Sequence, residues 1–68
     1  MDLTGELKGL TGTCPDRTFV LGTLTVYTNA STMFEKGSCN KMSNGAKIDV
    51  KGTLMLDGRV RAEIVRFE

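Results

Sequence analysis

The chain has 68 residues, with nine basic and eight acidic side chains, eight Gly, two Cys, one Pro, and neither His nor Trp. One small domain is all that fits, and without histidine there is no ordinary proton shuttle at neutral pH, no His-based zinc site and no Ser-His or Cys-His nucleophilic pair. A net charge of +1 gives no field to hold a polyanion by counterion release, and no apolar run approaches the roughly 18 residues of a membrane span.

The first segment, Leu3 to Leu10, places Leu3 and Leu7 on one side of a strand with Gly5 and Gly9 in phase with them. Glycine at such positions lets a strand bend inside a small closed barrel; the other readings are plain strand weakening or a bulge that re-aims its neighbours. Cys14 follows in a polar, turn-like setting, Thr-Cys-Pro-Asp. Phe19, Val20 and Leu21 predict a second strand, joined tightly across Gly22 to a third over residues 23–28, where Leu24 and Val26 face one way and Thr23, Thr25 and Tyr27 the other. From Asn29 to Ala46 the alternation stops; at most a single helical turn fits, with Phe34 and Met42 as apolar anchors to plug an open barrel end. Asn44-Gly45 is a turn feeding the next strand. From Lys47 to Leu56 the pattern predicts a half-buried strand with Ile48, Val50, Leu54 and Leu56 inward, Gly52 in phase with them, and Lys47, Asp49, Lys51 and Thr53 outward. Asp57-Gly58 then predicts a two-residue type I′ hairpin turn. The last strand places Val60, Ala62 and Ile64 inward and Arg59, Arg61 and Glu63 outward. On this phase Val65 and Phe67 fall on the outer face beside Met55, an apolar stripe for self-association or a neighbouring domain. The alternative is that barrel twist carries Phe67 over an open end, where it caps the core.

Three strands, an irregular connection and two more strands is the chain order of a five-stranded OB-like barrel, closed or partly open, with an SH3-like barrel as the competing architecture. So short a chain commonly needs a staple. Cys14 and Cys39 are the candidates, both in polar turn-like contexts rather than apolar runs, and a bridge between them is worth about 3–4 kcal/mol by loop-closure entropy. Two separate buried thiols are the other reading, and the one a cytosolic protein would favour.

Taken together, Leu3-Thr4-Gly5, Cys14, Phe19-Val20, Leu24-Thr25-Val26, Ser31-Thr32, Phe34, Gly37, Cys39, Met42, Asn44-Gly45, Ile48 through Thr53, Asp57-Gly58-Arg59-Val60 and Ala62 form a spaced pattern that resembles a bacterial family, domain of unknown function 5666. The resemblance covers Leu3 to Val65. It implies an OB-like barrel, export to the periplasm or another extracytoplasmic site, and a disulfide where both loop cysteines are present. It implies no chemistry and no ligand residues.

Candidate contact residues come from the outer face. OB barrels bind single strands with aromatic and basic residues on strands two and three, and Tyr27, Lys51, Arg59 and Arg61 are the plausible set. Asp49 and Glu63 interleave with these bases, and the last loop is short, so a solvated charge ladder is the stronger reading than nucleic-acid binding. Met33, Cys39 and Met42 are soft donors of the kind that hold Cu(I), but no His joins them and the bridge would use Cys39; no cofactor or metal is expected. The carboxylates are spread singly over turns and outer faces, so no acid-base pair converges. Asn29-Ala30-Ser31 fits a glycosylation sequon, read here as a strand-ending turn. The sequence therefore predicts a non-enzymatic binding or structural module of the bacterial cell envelope, engaging a protein or glycan, with a single-stranded nucleic-acid binder as the alternative.

Overall fold

Alternating apolar and polar residues build six strands in the computed structural model, which describes residues 1–68: β1 (Asp2–Thr13), β2 (Asp16–Leu21), β3 (Leu24–Tyr27), β4 (Met33–Glu35), β5 (Lys47–Leu54) and β6 (Val60–Phe67), with one 3-10 turn at Cys39–Lys41. β1 pairs antiparallel with both β2 and β5, β2 with β3, and β5 with β6. The circuit closes where β3 runs parallel to β6 through Val26↔Val60 and Tyr27↔Arg61. This is an all-β, five-stranded barrel with the strand pairing of an OB fold. Closure removes the edges an open sheet would expose along most of its perimeter.

The connection from residue 29 to 46 holds one strand that periodicity did not predict. β4 spans only three residues and lies parallel to β6 beyond the end of β3, through Met33↔Ile64, Phe34↔Val65 and Glu35↔Arg66. Three residues are too few to show alternation, and this strand is specified by its partner.

Two irregularities set the curvature. In β1 the register moves from Lys8↔Val20 to Thr11↔Thr18, so Gly9 and Leu10 together oppose Phe19, and Gly9 takes φ +63. That is a bulge led by a left-handed glycine, which bends the strand and strengthens its twist. In β6 the register moves from Gly52↔Ala62 to Lys51↔Ile64, which leaves Glu63 as the extra residue. Every side chain after Glu63 therefore changes face. The expected outer stripe does not exist: Val65 is fully buried and Phe67 is 3% exposed, while Ile64 turns outward and is half-buried. Met55 is half-buried in the hairpin.

The hairpin between β5 and β6 also differs from the expected type I′ turn. Gly58 N–H donates to Met55 O at 3.0 Å and Met55 N–H to Arg59 O at 2.7 Å, so the loop is three residues, Leu56 to Gly58. Positive φ occurs at Gly58 alone (+89) and not at Asp57, whereas a type I′ turn needs it at both central positions. Leu56 therefore sits at the tip, fully exposed, and Leu54, though in phase with the core, lies past the barrel end at 52% exposure. Both were expected inward.

The core comprises Leu7, Phe19, Leu21, Val26, Ile48, Val50, Val60, Ala62 and Val65 with Met42 and Phe67 at one end. Each large side chain here contributes about 1.5–3 kcal/mol by leaving water. Gly52 is buried opposite Ala62 because a Cβ there would collide with the carbonyl oxygen of Arg61, which fits its expected role as a bend. The plug is as expected and gains Phe67: Met42 is buried, and the half-buried Phe34 ring lies 6.3 Å from that of Phe67. Lys41 Nζ sits 5.4 Å from the Phe67 ring centroid on the water side. Phe67 is the cap that the alternative reading anticipated.

Candidate functional site

Tyr27 ends β3 with its ring on the outer face, and the parallel seam brings β6 beside it. The Arg59 guanidinium carbon lies 4.5 Å from the Tyr27 ring centroid, within cation–π range. Arg59 is held from below as well: its backbone N–H donates to Asp57 Oδ1 at 3.0 Å and its Nε to Asp57 Oδ2 at 2.8 Å. Arg61 stands level with Tyr27 across the seam, and its Nη2 is 3.6 Å from Glu63 Oε1. Thr53 Oγ1 donates to the same Glu63 oxygen at 2.7 Å.

These contacts hold both carboxyls below their ordinary range. For Asp57 the main cause is the Arg59 backbone N–H, followed by its side chain. For Glu63 it is the Thr53 hydroxyl, partly offset by desolvation and reinforced by Arg61. Both arginines are thus charge-balanced by a close carboxylate that stays ionised, and about half of each side chain remains open to water.

Beside this row lies a cleft of about 310 Å³ lined by Asn29, Ser31, Arg61, Ala62 and Glu63. Its far wall is the turn after β3, where Asn29 Oδ1 accepts the Ser31 N–H at 2.9 Å and Thr32 Oγ1 donates to Ala62 O at 2.7 Å. Asn29 is therefore the strand-ending turn residue that the sequence suggested. Asn29 and Ser31 were not among the sequence candidates for contact, since their place in the cleft depends on the fold bringing that turn against β6. Glu63 is exposed as alternation from Ala62 dictates, and the register shift at it turns only the residues that follow.

Of the four expected contact residues, Tyr27, Arg59 and Arg61 come together and Lys51 does not. Lys51 lies on β5 opposite Ile64, in a separate depression of about 140 Å³ with Glu35, Asp49, Ile64 and Arg66. The register there sets Glu35, Arg66, Asp49 and Thr4 in one row across β4, β6, β5 and β1. Thr4 Oγ1 donates to Asp49 Oδ1 at 2.8 Å. Alternating signs along such a row make a solvated charge ladder.

Cys14 and Cys39 form a disulfide, with their Cα atoms 5.9 Å apart. It ties the β1–β2 hairpin to the 3-10 turn that carries the plug. The bond occupies Cys39, and Met42 is packed in the core, so the three soft donors of the sequence do not form a metal set. Next to the bridge, the buried Thr28 fastens the hairpin, donating from Oγ1 to Pro15 O at 2.7 Å and accepting the Arg17 N–H at 3.0 Å. An intramolecular disulfide is the kind of bond that persists in oxidising compartments. No helix is long and apolar enough to cross a membrane.

The fold and face define a small disulfide-tied OB barrel with one aromatic–arginine patch. Residues 5–66 match the family described as a domain of unknown function, DUF5666, and the chain belongs to that family. No curated protein and no solved structure matches it.

Proposed function

We propose that this chain is a non-catalytic module of an exported bacterial protein, which binds a protein or glycan of the cell envelope through the face around Tyr27, Arg59 and Arg61. The observation that carries the compartment is the Cys14–Cys39 disulfide, a bond rarely kept in a reducing cytosol. What supports binding on this face is a fixed aromatic ring beside a polar cleft that offers both donors and acceptors. Asp57 and Glu63, the carboxylates on this face, are not poised as general acids. Both are lowered, opposite to the rise a general acid needs near neutral pH.

Single-stranded nucleic acid is the alternative that the OB topology suggests. Asp57 and Glu63 weigh against it, since each places a negative charge where a phosphate would approach. Tyr27 is the only tyrosine and there is no Trp, so intrinsic fluorescence reports on this face alone. Titration with soluble peptidoglycan fragments, with peptides of envelope proteins that lack Tyr and Trp, and with oligothymidine separates the readings. A Tyr27 signal change with an envelope component, lost in Arg61→Ala, supports the proposal. Oligothymidine binding that falls steeply with salt, without response to the other two, favours the alternative.

A further inference from the structure

Closure is incomplete, and one of the strand edges left without a neighbour is in β1. β5 covers β1 over Asp2–Glu6, whereas β2 begins to pair with β1 only at Leu7↔Leu21. On the side away from β5, the first half of β1 is therefore an open edge. The direction of its backbone groups follows from the ladder. Met1 N donates to Gly52 O at 2.8 Å and Gly52 N to Met1 O at 2.9 Å. Leu7 N donates to Ala46 O at 2.9 Å, and Leu7 O accepts from Gly45 N at 2.7 Å. Odd-numbered residues thus turn toward β5, and Asp2, Thr4 and Glu6 turn their N–H and C=O groups to the open side. A groove of about 270 Å³ lined by Thr4, Gly5, Glu6, Lys8 and Gly22 runs along that side.

We propose that this edge is a strand-addition site for an extended peptide segment of another protein, with alternating apolar and basic side chains. Backbone pairing supplies the attachment, and alternate side chains supply the selectivity. On the outer face the added strand would lie beside Asp2 and Glu6, which are exposed and make no ion pair with Lys51 and Lys47 opposite them; basic residues complement them. On the inner face it would lie beside the half-buried Leu3 and over Gly5, where apolar residues fit.

A second copy of the chain is the wrong occupant. Antiparallel pairing of two β1 edges about Thr4 would set Asp2 opposite Glu6 twice, and like charges directly opposed are destabilising. Beyond those two carboxylates the edge carries no protection: no Pro or Lys stands at Asp2, Thr4 or Glu6, and the bulge at Gly9 lies beyond the open part. β4, another unpaired edge, has only three residues.

The test uses the full, disulfide-bonded chain and the pentapeptide acetyl-Lys-Val-Arg-Val-Lys-amide, with amide hydrogen exchange read by NMR. At saturating peptide, exchange at Thr4 and Glu6 should slow by about tenfold or more, while Leu3 and Gly5, already bonded to β5, stay unchanged. The same peptide N-methylated on its bonding edge should give no slowing, and acetyl-Glu-Val-Glu-Val-Glu-amide should bind more weakly. Equal slowing with the N-methylated peptide, or none at millimolar peptide, overturns the site. Slowing that depends on protein concentration without peptide, with dimers in sedimentation, assigns the edge to a second copy and overturns the proposed partner.

Discussion

Phe67→Ala tests the reassignment of the last strand. Phe67 is 3% exposed, stacks on Phe34 at 6.3 Å and lies under Lys41. Its ring also fills the space that a side chain at residue 37 would take, with Phe67 Cδ2 2.6 Å from where a Cβ on Gly37 would stand. Truncating a buried Phe costs about 3–5 kcal/mol, from lost transfer energy and the cavity left behind. The low end applies because Phe67 lies at the barrel end, where the plug around it can settle. A chain of 68 residues has a total stability of about 3–10 kcal/mol at the usual per-residue range, so about 3 kcal/mol is a large share of it. At about 4–8 °C per kcal/mol for a domain this small, the melting temperature should fall by roughly 12–24 °C. Circular dichroism melts and urea titrations, with the disulfide intact in both proteins, measure the change. Had Phe67 lain on the outer face, truncation would stay within about 0.5 kcal/mol. A shift that small would show that the Glu63 bulge does not reverse the strand.

The other predictions concern the staple, the hairpin and acid. Reducing Cys14–Cys39 should lower stability by about 2–4 kcal/mol through restored freedom of the unfolded chain; a melt unaltered by reductant would refute the bridge's contribution. Gly58→Val should destabilise by more than about 1 kcal/mol and Gly58→Asn by less, because the φ of +89 suits Asn better than a β-branched residue and no atom lies within 4 Å of the added Cβ. Equal melting of the two variants would argue against a conformational origin. Asp57 and Glu63 are held below their ordinary values of 3.8 and 4.5. A lowered carboxyl contributes stability that is full above the ordinary value and lost as pH falls through the folded one. Urea midpoints should therefore hold steady down to about pH 5 and decline below it, with a shallower decline in Thr53→Val, which lacks the 2.7 Å bond to Glu63. An identical acid limb in that variant would contradict the assigned cause.

Most of the barrel is legible from local patterns, because the stretches that alternate are the stretches that pair. Ile48 and Val50 against Lys47 and Asp49 give β5 outright, and Asn44-Gly45 gives its start: Gly45 has φ +91 and Asn44 Oδ1 accepts the Leu10 N–H at 2.9 Å. The disulfide was legible from the polar settings of its cysteines. What periodicity carried wrongly is whatever lies beyond an inserted residue. Nothing about Glu63 as a residue type marks it as a bulge, yet it decides the face of Ile64, Val65 and Phe67. Likewise, Asp57-Gly58 signals a turn without fixing loop length, which depends on how β5 and β6 meet across Gly52. The grouping of the proposed contact residues was half legible: residue type selected Tyr27, Arg59 and Arg61, but only the parallel seam separates them from Lys51 and places Asn29 and Ser31 beside them.

That seam is the shortest ladder in the circuit, two residue pairs against five or more in β1–β5 and β5–β6. It is where the cylinder should unzip first, since little backbone bonding resists it there. Tyr27 belongs to one lip and Arg61 to the other. A ligand gripping both would act as a rivet across the join, so recognition and resistance to unfolding would rise together, and heat tolerance would screen candidates for the ligand proposed for this face.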